Sequence, residues 1–241
     1  MQIFGKTDKG IIRETNQDAF NYEELSNSAF FAVVCDGMGG ANAGNVASEY
    51  AVRIISDYLK RSYRTGMTPV QIENIMRSAV YSANMQVYEA ALNDENLKGM
   101  GTTVVLLLVD GDNGYILHIG DSRAYVYSSN VLSQITVDHS VVQNMIDSGE
   151  ITIDEAKSHP SKNIITRALG ISEEVNADLS FVALSRGDIV LLCSDGLTNF
   201  VSVDEISNIF EDFDDNVVTR LIDKANAGGG GDNITAVVVK I

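Results

Sequence analysis

The sequence predicts an α+β fold in which two mainly antiparallel sheets pack face to face, each covered on its outer side by a pair of helices. Short apolar runs bounded by turn residues, typical of buried strands, recur along most of the chain. Two amphipathic helical tracts follow one another in the first half, and two shorter helical segments precede the last apolar run. These three observations together favour a layered sandwich.

The first half of the chain contains one clear buried strand and the two longer helices. Residues 30–35 (FFAVVC) form a continuous apolar run. Over residues 45–61 the apolar side chains recur at the spacing of one helix face, and a second such stripe follows Pro69 over residues 72–87. Two amphipathic helices in succession are expected to pack side by side.

Strands dominate the middle of the chain. Residues 102–109, 115–119, 123–127 and 131–137 alternate with turns, the first of which is DGDNG. We predict that these runs form one antiparallel meander, because short connections join neighbouring antiparallel strands. A short helix is expected over residues 138–146.

The last third begins with residues 149–170, a polar and weakly periodic segment that we expect to be a small excursion from the main body. Two further strands, 181–184 and 188–193, are expected to pair with each other. The remaining elements are predicted at residues 202–210, where Ser202 and Glu205 form a helix-capping box, at 217–225 as a helix and at 234–241 as a strand.

Composition indicates one globular domain over residues 1–241, because 45% of the residues are hydrophobic and no linker or repeat divides the chain. No apolar run approaches the roughly 18 residues of a membrane span, and the first ten residues do not resemble a signal peptide. We therefore expect a soluble, cytoplasmic protein. A net charge of −16 argues against nucleic acid or an anionic membrane as a partner. Cys35 and Cys193 are expected to be buried, reduced thiols.

Five aspartates stand at the ends of apolar runs. Asp36, Asp121 and Asp195 follow their predicted strands, whereas Asp18 and Asp232 precede theirs. In an antiparallel sheet, the end of one strand lies beside the start of the next, so all five could meet at one edge of the sandwich. The alternative is that Asp and Gly simply favour turns, which would explain any one of these positions alone.

An edge of this kind would be a metal site. Its ligands would be hard oxygens, which select Mg²⁺, Mn²⁺ or Ca²⁺ over zinc or copper. An EF-hand at the DGDNG turn is excluded, because the third oxygen ligand and the terminal glutamate are missing. His118 and His159 are expected to have structural roles, and His139 to cap or orient a loop.

The glycine-rich loop after Asp36 is a weak candidate for binding phosphate. Its pattern from Gly37 has Asn42 where a dinucleotide fingerprint needs glycine, and the Lys-Ser/Thr pair of a P-loop is missing. Arg13, five residues before Asp18, is the better candidate, since a guanidinium can hold two phosphate oxygens at once.

Seven short motifs are distributed across nearly the whole chain: residues 13–18 (RETNQD), 36–40 (DGMGG), 99–103 (GMGTT), 120–123 (GDSR), 136–140 (TVDHS), 193–197 (CSDGL) and 231–235 (GDNIT). They occur in the same order as in the metal-dependent protein phosphatases of type 2C, and the chain resembles the compact bacterial serine/threonine phosphatases of that family.

The resemblance implies a four-layer α/β-β/α sandwich with a flap near residues 149–170 and a centre of two Mn²⁺ or Mg²⁺ ions. Asp36 would bridge the ions. Asp18 and the carbonyl of Gly37 would complete one ion's ligands, and Asp195 and Asp232 those of the other. Asp121 matches the position that, together with Asp195, holds a third and weaker ion in bacterial members.

The activity that the resemblance implies is hydrolysis of phosphoserine and phosphothreonine in proteins, by direct attack of a water or hydroxide that bridges the metal ions. Arg13 would bind the substrate phosphate and, with Asp36, form the catalytic pair. Expected partners are phosphoproteins in a bacterial signalling system, including a serine/threonine kinase that the enzyme opposes. A monomer suffices for this fold. Two alternatives stay open, a pseudophosphatase that only binds phosphoproteins and a hydrolase of small phosphate esters.

The chain departs from its bacterial relatives at Ala41, where they typically have a histidine, and at Asn45, where they usually have glutamate. A histidine near the leaving oxygen would be a natural general acid. We therefore expect Ala41→His to speed hydrolysis of a phosphopeptide more than that of an activated aryl phosphate. Equal rate changes on both substrates would contradict a missing acid.

Overall fold

The computed structural model describes residues 1–39 and 43–241. The strands in chain order are β1 (Gln2–Asp8), β2 (Asp18–Ser26), β3 (Ala29–Met38), β4 (Gly101–Thr102), β5 (Val104–Asp110), β6 (Asn113–Ile119), β7 (Arg123–Ser128), β8 (Val131–Gln134), β9 (Asp178–Ala183), β10 (Ile189–Cys193) and β11 (Ile234–Lys240). The helices are α1 (Ala43–Ser62), α2 (Pro69–Asn93), α3 (Val141–Asp147), α4 (Ile153–Ala156), α5 (Asp195–Thr198), α6 (Val203–Glu211) and α7 (Val217–Ala227).

The strands form two antiparallel sheets. The first sheet has the order β1-β11-β10-β7-β8, and the second has the order β2-β3-β5-β6-β9 with β4 paired to the end of β3. Each sheet combines strands that are distant in sequence, such as β1 with β11. The order of strands therefore brings both chain termini into the first sheet.

Side-chain alternation along β3 shows how the layers are stacked. Phe30, Ala32 and Val34 pack between the two sheets, while Phe31 and Val33 pack toward the helices. Because successive side chains of a strand point to opposite faces, a strand buried on both faces is a continuous apolar run. The run FFAVVC is such a strand.

Helix pairs cover the outer faces of both sheets. The amphipathic α1 and α2 pack against each other and against the second sheet, and α6 and α7 do the same on the first sheet. A capping box begins α6, where Ser202 accepts the backbone N–H of Glu205 and the Glu205 carboxylate accepts the N–H of Ser202. The predicted α+β sandwich of two antiparallel sheets between helix pairs is confirmed.

Two predicted strand pairings are wrong. β6 does not pair with β7, because the chain passes from the second sheet to the first at residues 120–122; the predicted meander is two hairpins in different sheets. Similarly, β9 pairs with β6 and β10 lies between β7 and β11, so the two strands do not pair with each other. Periodicity identifies a strand but not the sheet to which it belongs.

Some element boundaries also differ from the prediction. Residues 138–140 are not helical, because Ser140 is the N-cap of α3 and its side chain accepts the N–H of Gln143. The strand predicted to reach residue 137 ends at Gln134. β1 has no apolar alternation strong enough to predict it. Within residues 1–39 and 43–241, no helix combines the length and apolar character needed to cross a bilayer.

Residues 141–170, here called the flap segment, contain α3 and α4 and otherwise consist of turns, irregular stretches and two isolated bridge residues. The two ends of the segment are joined to each other, and the second end is also joined to the second sheet. Ser140 forms an antiparallel bridge with Ile165, and Leu169 forms another with Thr102, through two backbone hydrogen bonds of 2.9 and 3.0 Å. Leu169 is itself buried among side chains of the second sheet and α2. The predicted excursion at 149–170 lies within this segment.

Candidate metal centre

The predicted site aspartates come together where the two sheets meet at one edge. This place is here called the aspartate edge and contains Asp18, Asp36, Asp121, Asp195 and Asp232. Asp18, the first residue of β2, lies directly opposite Asp36 in the ladder between β2 and β3. Asp195 follows β10, Asp232 precedes β11, and these strands are neighbours in the other sheet. Side chains from both sheets therefore reach one place, as the opposite strand directions predict.

Asp18 connects the two sheets. It is 8% exposed, and its Oδ2 accepts hydrogen bonds from the hydroxyls of Ser194 and Thr235, both at 2.7 Å. Its Oδ1 is buried and accepts no hydrogen bond. A buried carboxylate oxygen without a partner is costly, since desolvation is not offset by a new contact. Asp18 therefore has one oxygen held in place and one oxygen available to a ligand.

The carboxylates at this edge have raised pKa values. Burial is the main cause for Asp18, whose pKa rises to about 7, and for Asp121, whose pKa also rises to about 7. Burial and then the charges of neighbouring aspartates raise the pKa of Asp36 well above its usual range. Burial and the charge of Asp232 raise that of Asp195. Neighbouring carboxylates with raised pKa values need a counter-cation to ionise together.

Asp195 and Asp232 have different surroundings. Asp195 Oδ2 accepts a hydrogen bond of 2.9 Å from Asn199 Nδ2, while its Oδ1 is buried without a partner. Asp232 forms an ion pair with Arg13, whose half-exposed guanidinium donates a 2.8 Å hydrogen bond from Nη2 to Asp232 Oδ2. The predicted phosphate ligand, Arg13, thus lies at the rim of the aspartate edge.

Gly37 occupies a position where no side chain fits. A Cβ at this residue would collide with the carbonyl oxygens of Gly44 and Gln17. The Gly37 N–H donates to the Gln17 carbonyl at 3.0 Å, which leaves the chain beside Asp36 closely packed against the start of β2. Glycine is therefore required here by the close approach of three backbone segments.

Asp121 is on the turn that passes between the sheets. Gly120 has φ +101°, and a Cβ there would lie 2.6 Å from Thr103 Cγ2. Ser122, the residue after Asp121, shares a 2.7 Å hydrogen bond with Thr103 Oγ1. The same threonine oxygen accepts the N–H of Asp36 at 3.0 Å. The turn of Asp121 and the backbone of Asp36 are thus positioned by the same threonine.

The donor set fits hard divalent cations. It consists of carboxylate oxygens and backbone carbonyls, the ligands that Mg²⁺ and Mn²⁺ prefer. Two buried oxygens, Asp18 Oδ1 and Asp195 Oδ1, have no hydrogen-bond partner and are free to coordinate an ion. A metal site at this edge is therefore compatible with the residues present.

A tighter group of ligand-type atoms lies elsewhere and does not fit a metal. Among the described residues, the group of three whose ligand atoms lie within 4.8 Å of one another is His118, His139 and Asp178, not the aspartates. The two imidazoles are stacked, 4.5 Å apart and 21° from parallel. Ring lone pairs lie in the ring planes, so two nearly parallel rings cannot both point at one ion. Arg167, 2.9 Å from Asp178, adds a positive charge.

The histidines have the structural roles that the sequence predicts. His118 Nε2 donates to the Val137 carbonyl at 2.8 Å. His159 Nδ1 accepts the N–H of Ser161 at 3.1 Å within the flap segment. His139 hydrogen-bonds the backbone of Gly120, beside Asp121. Cys35 and Cys193 are buried and unbridged, also as expected.

Sequence reasoning missed the residues that hold the edge together. Asn233 accepts the N–H of Gln17 through Oδ1 and donates through Nδ2 to the carbonyls of Lys9 and Thr15, so it fixes the loop that carries Arg13. Ser194 and Thr235 position Asp18. All three residues lie within the motifs at residues 193–197 and 231–235, but a place in a motif does not state a role. Ala41, the position that departs from the bacterial relatives, lies outside the described residues.

Comparisons with known proteins agree with this geometry. Residues 12–224 match the family model described as protein phosphatase 2C. The serine/threonine phosphatase stp of Listeria welshimeri is 40% identical over 98% of this chain and 94% of its own length. The solved serine/threonine phosphatase of S. agalactiae superposes with a TM-score of 0.92 at 36% identity, covering 100% of this chain and 99% of the other.

A further solved neighbour carries metal. The catalytic domain of the serine/threonine protein phosphatase PstP, in complex with two manganese ions, gives a TM-score of 0.85 at 32% identity over 99% of this chain and 97% of its own. Similarity of this extent in sequence and structure goes beyond a shared fold. The chain belongs to the protein phosphatase 2C family, whose members are metal-dependent serine/threonine phosphatases.

Proposed function

We propose that residues 1–241 act as one catalytic domain that hydrolyses phosphoserine and phosphothreonine in proteins, with two Mn²⁺ or Mg²⁺ ions held by the strand-end aspartates. The observation that carries this proposal is the meeting of aspartates from both sheets at one edge, where two buried carboxylate oxygens have no partner and Arg13 stands at the rim. Phosphoprotein substrates agree with the names of the relatives.

The proposed ligand assignment follows the position of each residue. Charges of aspartates from both sheets, Asp18 and Asp195 among them, contribute to the raised pKa of Asp36, so this carboxylate would contact both ions. Asp18 and the Gly37 carbonyl, both on the second sheet, would complete one ion's protein ligands. Asp195 and Asp232, next to the ends of two neighbouring strands of the first sheet, would complete the protein ligands of the other ion.

A third, weaker ion is proposed between Asp195 and Asp121. Asp121 is on the turn after β6, and burial together with the charge of Asp195 raises its pKa. Because Asp121 would share this ion with only one other aspartate of the centre, we expect it to bind less tightly than the first two.

Divalent ions at this centre would lower the pKa of water to near neutrality and stabilise the charge on the transferred phosphoryl group. The chain's own residues prepare the site for them. Ser194 and Thr235 hold one oxygen of Asp18, which keeps the other oxygen pointed away from these donors. Ion binding would release protons from the carboxyls whose pKa is raised, so affinity should increase with pH.

Arg13 would bind the substrate phosphate. Its guanidinium is half exposed and is paired here with Asp232, one of the proposed ligands. Once Asp232 is engaged by a cation, its attraction for the guanidinium falls, and a phosphate becomes the stronger acceptor. A planar guanidinium can then hold two phosphate oxygens, which orients the phosphoryl group toward the aspartates.

A covalent route through cysteine is disfavoured. Burial raises the pKa of Cys35 above its usual range and that of Cys193 to about 12, so neither is a thiolate at neutral pH. Both thiols are also 0% exposed and out of reach of a protein substrate. Direct attack by water agrees with this arrangement.

The test compares purified protein on phosphoserine and phosphothreonine peptides with a panel of small phosphate esters, with Mn²⁺ and after chelation. We expect Mn²⁺-dependent hydrolysis of the peptides that Asp36→Asn abolishes. The control is Asp188→Asn, a buried aspartate just before β10, at the end of that strand opposite Asp195. A preference for small esters would support the alternative of a hydrolase of small phosphate esters. Phosphopeptide binding without turnover would support the alternative of a pseudophosphatase.

We also propose that the protein acts in the cytoplasm as a monomer and opposes a serine/threonine kinase. Support for a monomer is that helices cover the outer faces of both sheets, so neither sheet needs a partner chain to bury it. The kinase follows from the substrate, since phosphoserine and phosphothreonine require such an enzyme. Light scattering of the purified protein tests the oligomeric state.

A further inference from the structure

His139 does not belong to the aspartate edge, but it contacts three other parts of the chain, at Gly120, Thr166 and Asp178. It is 6% exposed and stands just before the flap segment. Its backbone and its imidazole both form hydrogen bonds, to the turn that carries Asp121, to the end of the flap segment, and to Asp178 at the start of β9. None of these contacts involves a proposed metal ligand directly.

The contact with the Asp121 turn is reciprocal. The His139 N–H donates to the Gly120 carbonyl at 2.9 Å, and His139 Nδ1 accepts the Gly120 N–H at 3.1 Å. Gly120 has the positive φ described above and is packed against Thr103. Both backbone groups of the residue before Asp121 are therefore satisfied by His139, which fixes the direction in which the chain leaves toward Asp121.

The contact with the flap segment uses the other side of the residue. The His139 carbonyl accepts the Thr166 N–H at 2.7 Å. Nε2 lies 3.2 Å from one oxygen of Asp178, and the other oxygen of Asp178 accepts a 2.9 Å hydrogen bond from Arg167 of the flap segment. Asp178 thus receives donors from His139 and from the flap segment together.

These contacts determine the tautomer of the ring. Nδ1 accepts a backbone N–H, so the ring hydrogen is on Nε2 and is donated to Asp178. Burial lowers the pKa of His139, which favours this neutral form. The ring also stacks on His118, which is held by the Val137 carbonyl. Arg167 Nη1 lies 3.1 Å from Nε2 and donates to the same carboxylate, so Nε2, Arg167 and Asp178 form one cluster. Nδ1 contacts the Gly120 N–H on the other side of the ring.

We propose that His139 is a positioning residue with two separable roles: Nδ1 orients the Asp121 turn for the weaker metal ion, and Nε2, through Asp178 and Arg167, holds the base of the flap segment beside the substrate. The inference rests on the proposed function. It differs from a general structural role because it assigns metal binding to one nitrogen and substrate binding to the other.

Two substitutions separate the nitrogens. In His139→Asn, the side-chain oxygen can take the place of Nδ1 and accept the Gly120 N–H, but the side chain is too short to reach Asp178. In His139→Gln, the amide NH₂ can take the place of Nε2 and donate to Asp178, while the acceptor for Gly120 is lost. Asp178→Ala removes the carboxylate that links Nε2 to Arg167 and leaves the Gly120 contact intact, at a residue whose side chain is 54% exposed, so folding is not threatened.

For His139→Gln we expect the weakest Mn²⁺ site in calorimetry to lose about ten- to a hundred-fold in affinity, the range typical of residues that orient metal ligands, with little change in KM for a phosphopeptide. For His139→Asn and Asp178→Ala we expect Mn²⁺ binding as in the wild type, a several-fold higher KM, and faster amide hydrogen exchange in residues 150–167.

Equal effects of the Asn and Gln variants on Mn²⁺ binding and on KM, or a change in Mn²⁺ affinity in Asp178→Ala, would overturn the inference. Metal titration and amide exchange need no turnover, so they test His139 even if the wild type is inactive. An inactive wild type would instead contradict the proposed function. Should both histidine variants fail to fold, Asp178→Ala still decides the flap role through KM and exchange.

Discussion

The hydrogen bonds that stabilise the aspartate edge join residues far apart in the sequence, whereas those that stabilise the helices of the flap segment join near neighbours. Asp18 is held by Ser194 and Thr235, which are 176 and 217 positions away. The caps of α3 and α4 in the flap segment are made by Ser140 and Thr152, each to a residue three positions away. The edge therefore exists only when both sheets have formed, whereas the interior of the flap segment is organised by local contacts.

This difference separates two tasks. The aspartate edge brings buried carboxylates together, which costs free energy, and the packing of the two sheets has to offset this cost. The flap segment has few buried side chains and is tied down at its base, by Leu169 and by the contacts around His139. Substitutions at the edge should therefore change metal binding and global stability together, and those inside the flap segment should change neither strongly.

The largest effect is expected for Asp18→Asn. The asparagine oxygen can still accept from Ser194 and Thr235, which places the amide NH₂ where Oδ1 would coordinate an ion. Activity with Mn²⁺ should fall by more than about a hundred-fold, since even residues that only orient metal ligands are worth about ten- to a hundred-fold. In chelator the variant should be at least as stable as the wild type, because a buried carboxyl has been removed; thermal unfolding measures this. A lower melting temperature in chelator would contradict the cost assigned to Asp18.

Thr235→Val should have the next largest effect. It keeps the shape of the side chain but removes the hydroxyl that donates to Asp18 at 2.7 Å. We expect a loss of about ten-fold or more in Mn²⁺ affinity and of about 1–3 kcal/mol in the free energy of unfolding. Thr235→Ser, which keeps the hydroxyl, is the control. If both variants bind Mn²⁺ alike, the hydroxyl does not position Asp18.

The pH dependence of stability should differ with and without metal. Because the pKa of Asp18 and of Asp121 is raised from 3.8 to about 7, the folded, metal-free protein binds more protons than the unfolded chain between these values. The free energy of unfolding in chelator should therefore fall as pH rises from about 4 to about 7, by at most ~4 kcal/mol per carboxyl.

Mn²⁺ should weaken or reverse this slope, since bound cations favour the ionised carboxylates. Urea unfolding at several pH values, in chelator and in excess Mn²⁺, measures both slopes. Identical slopes in the two conditions would mean that these carboxyls are not at the metal site.

The smallest effect is expected in the flap segment. Thr152→Ala removes the capping box of α4, worth about 0.5–2 kcal/mol to that local turn. Because α4 is exposed except at Ala156 and is capped by local contacts, we expect faster amide exchange at residues 153–156 with an unchanged global melting temperature. A fall in the melting temperature as large as that caused by Thr235→Val would show that the flap segment and the edge unfold as one unit.

The sequence predicts much of the fold because its signals are local. The run at residues 30–35 and the helical stripes after Asn45 and Pro69 depend on neighbours within a few positions, and they match β3, α1 and α2. The meeting of the aspartates was also predictable, since strand direction alone places Asp18 beside Asp36.

The sequence could not reveal where the chain changes sheets. At Gly120 a positive φ redirects the chain, yet the same glycine would suit a hairpin between β6 and β7. The supports of the edge were hidden for a similar reason, because Ser194, Thr235 and Asn233 act on residues more than a hundred positions away. Such contacts follow from the assembled sheets, not from any local pattern.

The most direct test of the central claim, that the strand-end aspartates form a divalent-ion centre, is a calorimetric count of Mn²⁺ ions bound by wild type, Asp18→Asn and Asp188→Asn. We predict at least two ions bound by the wild type and by Asp188→Asn, and fewer, more weakly bound ions in Asp18→Asn. Unchanged Mn²⁺ binding in Asp18→Asn, or an equal loss in Asp188→Asn, would contradict the account.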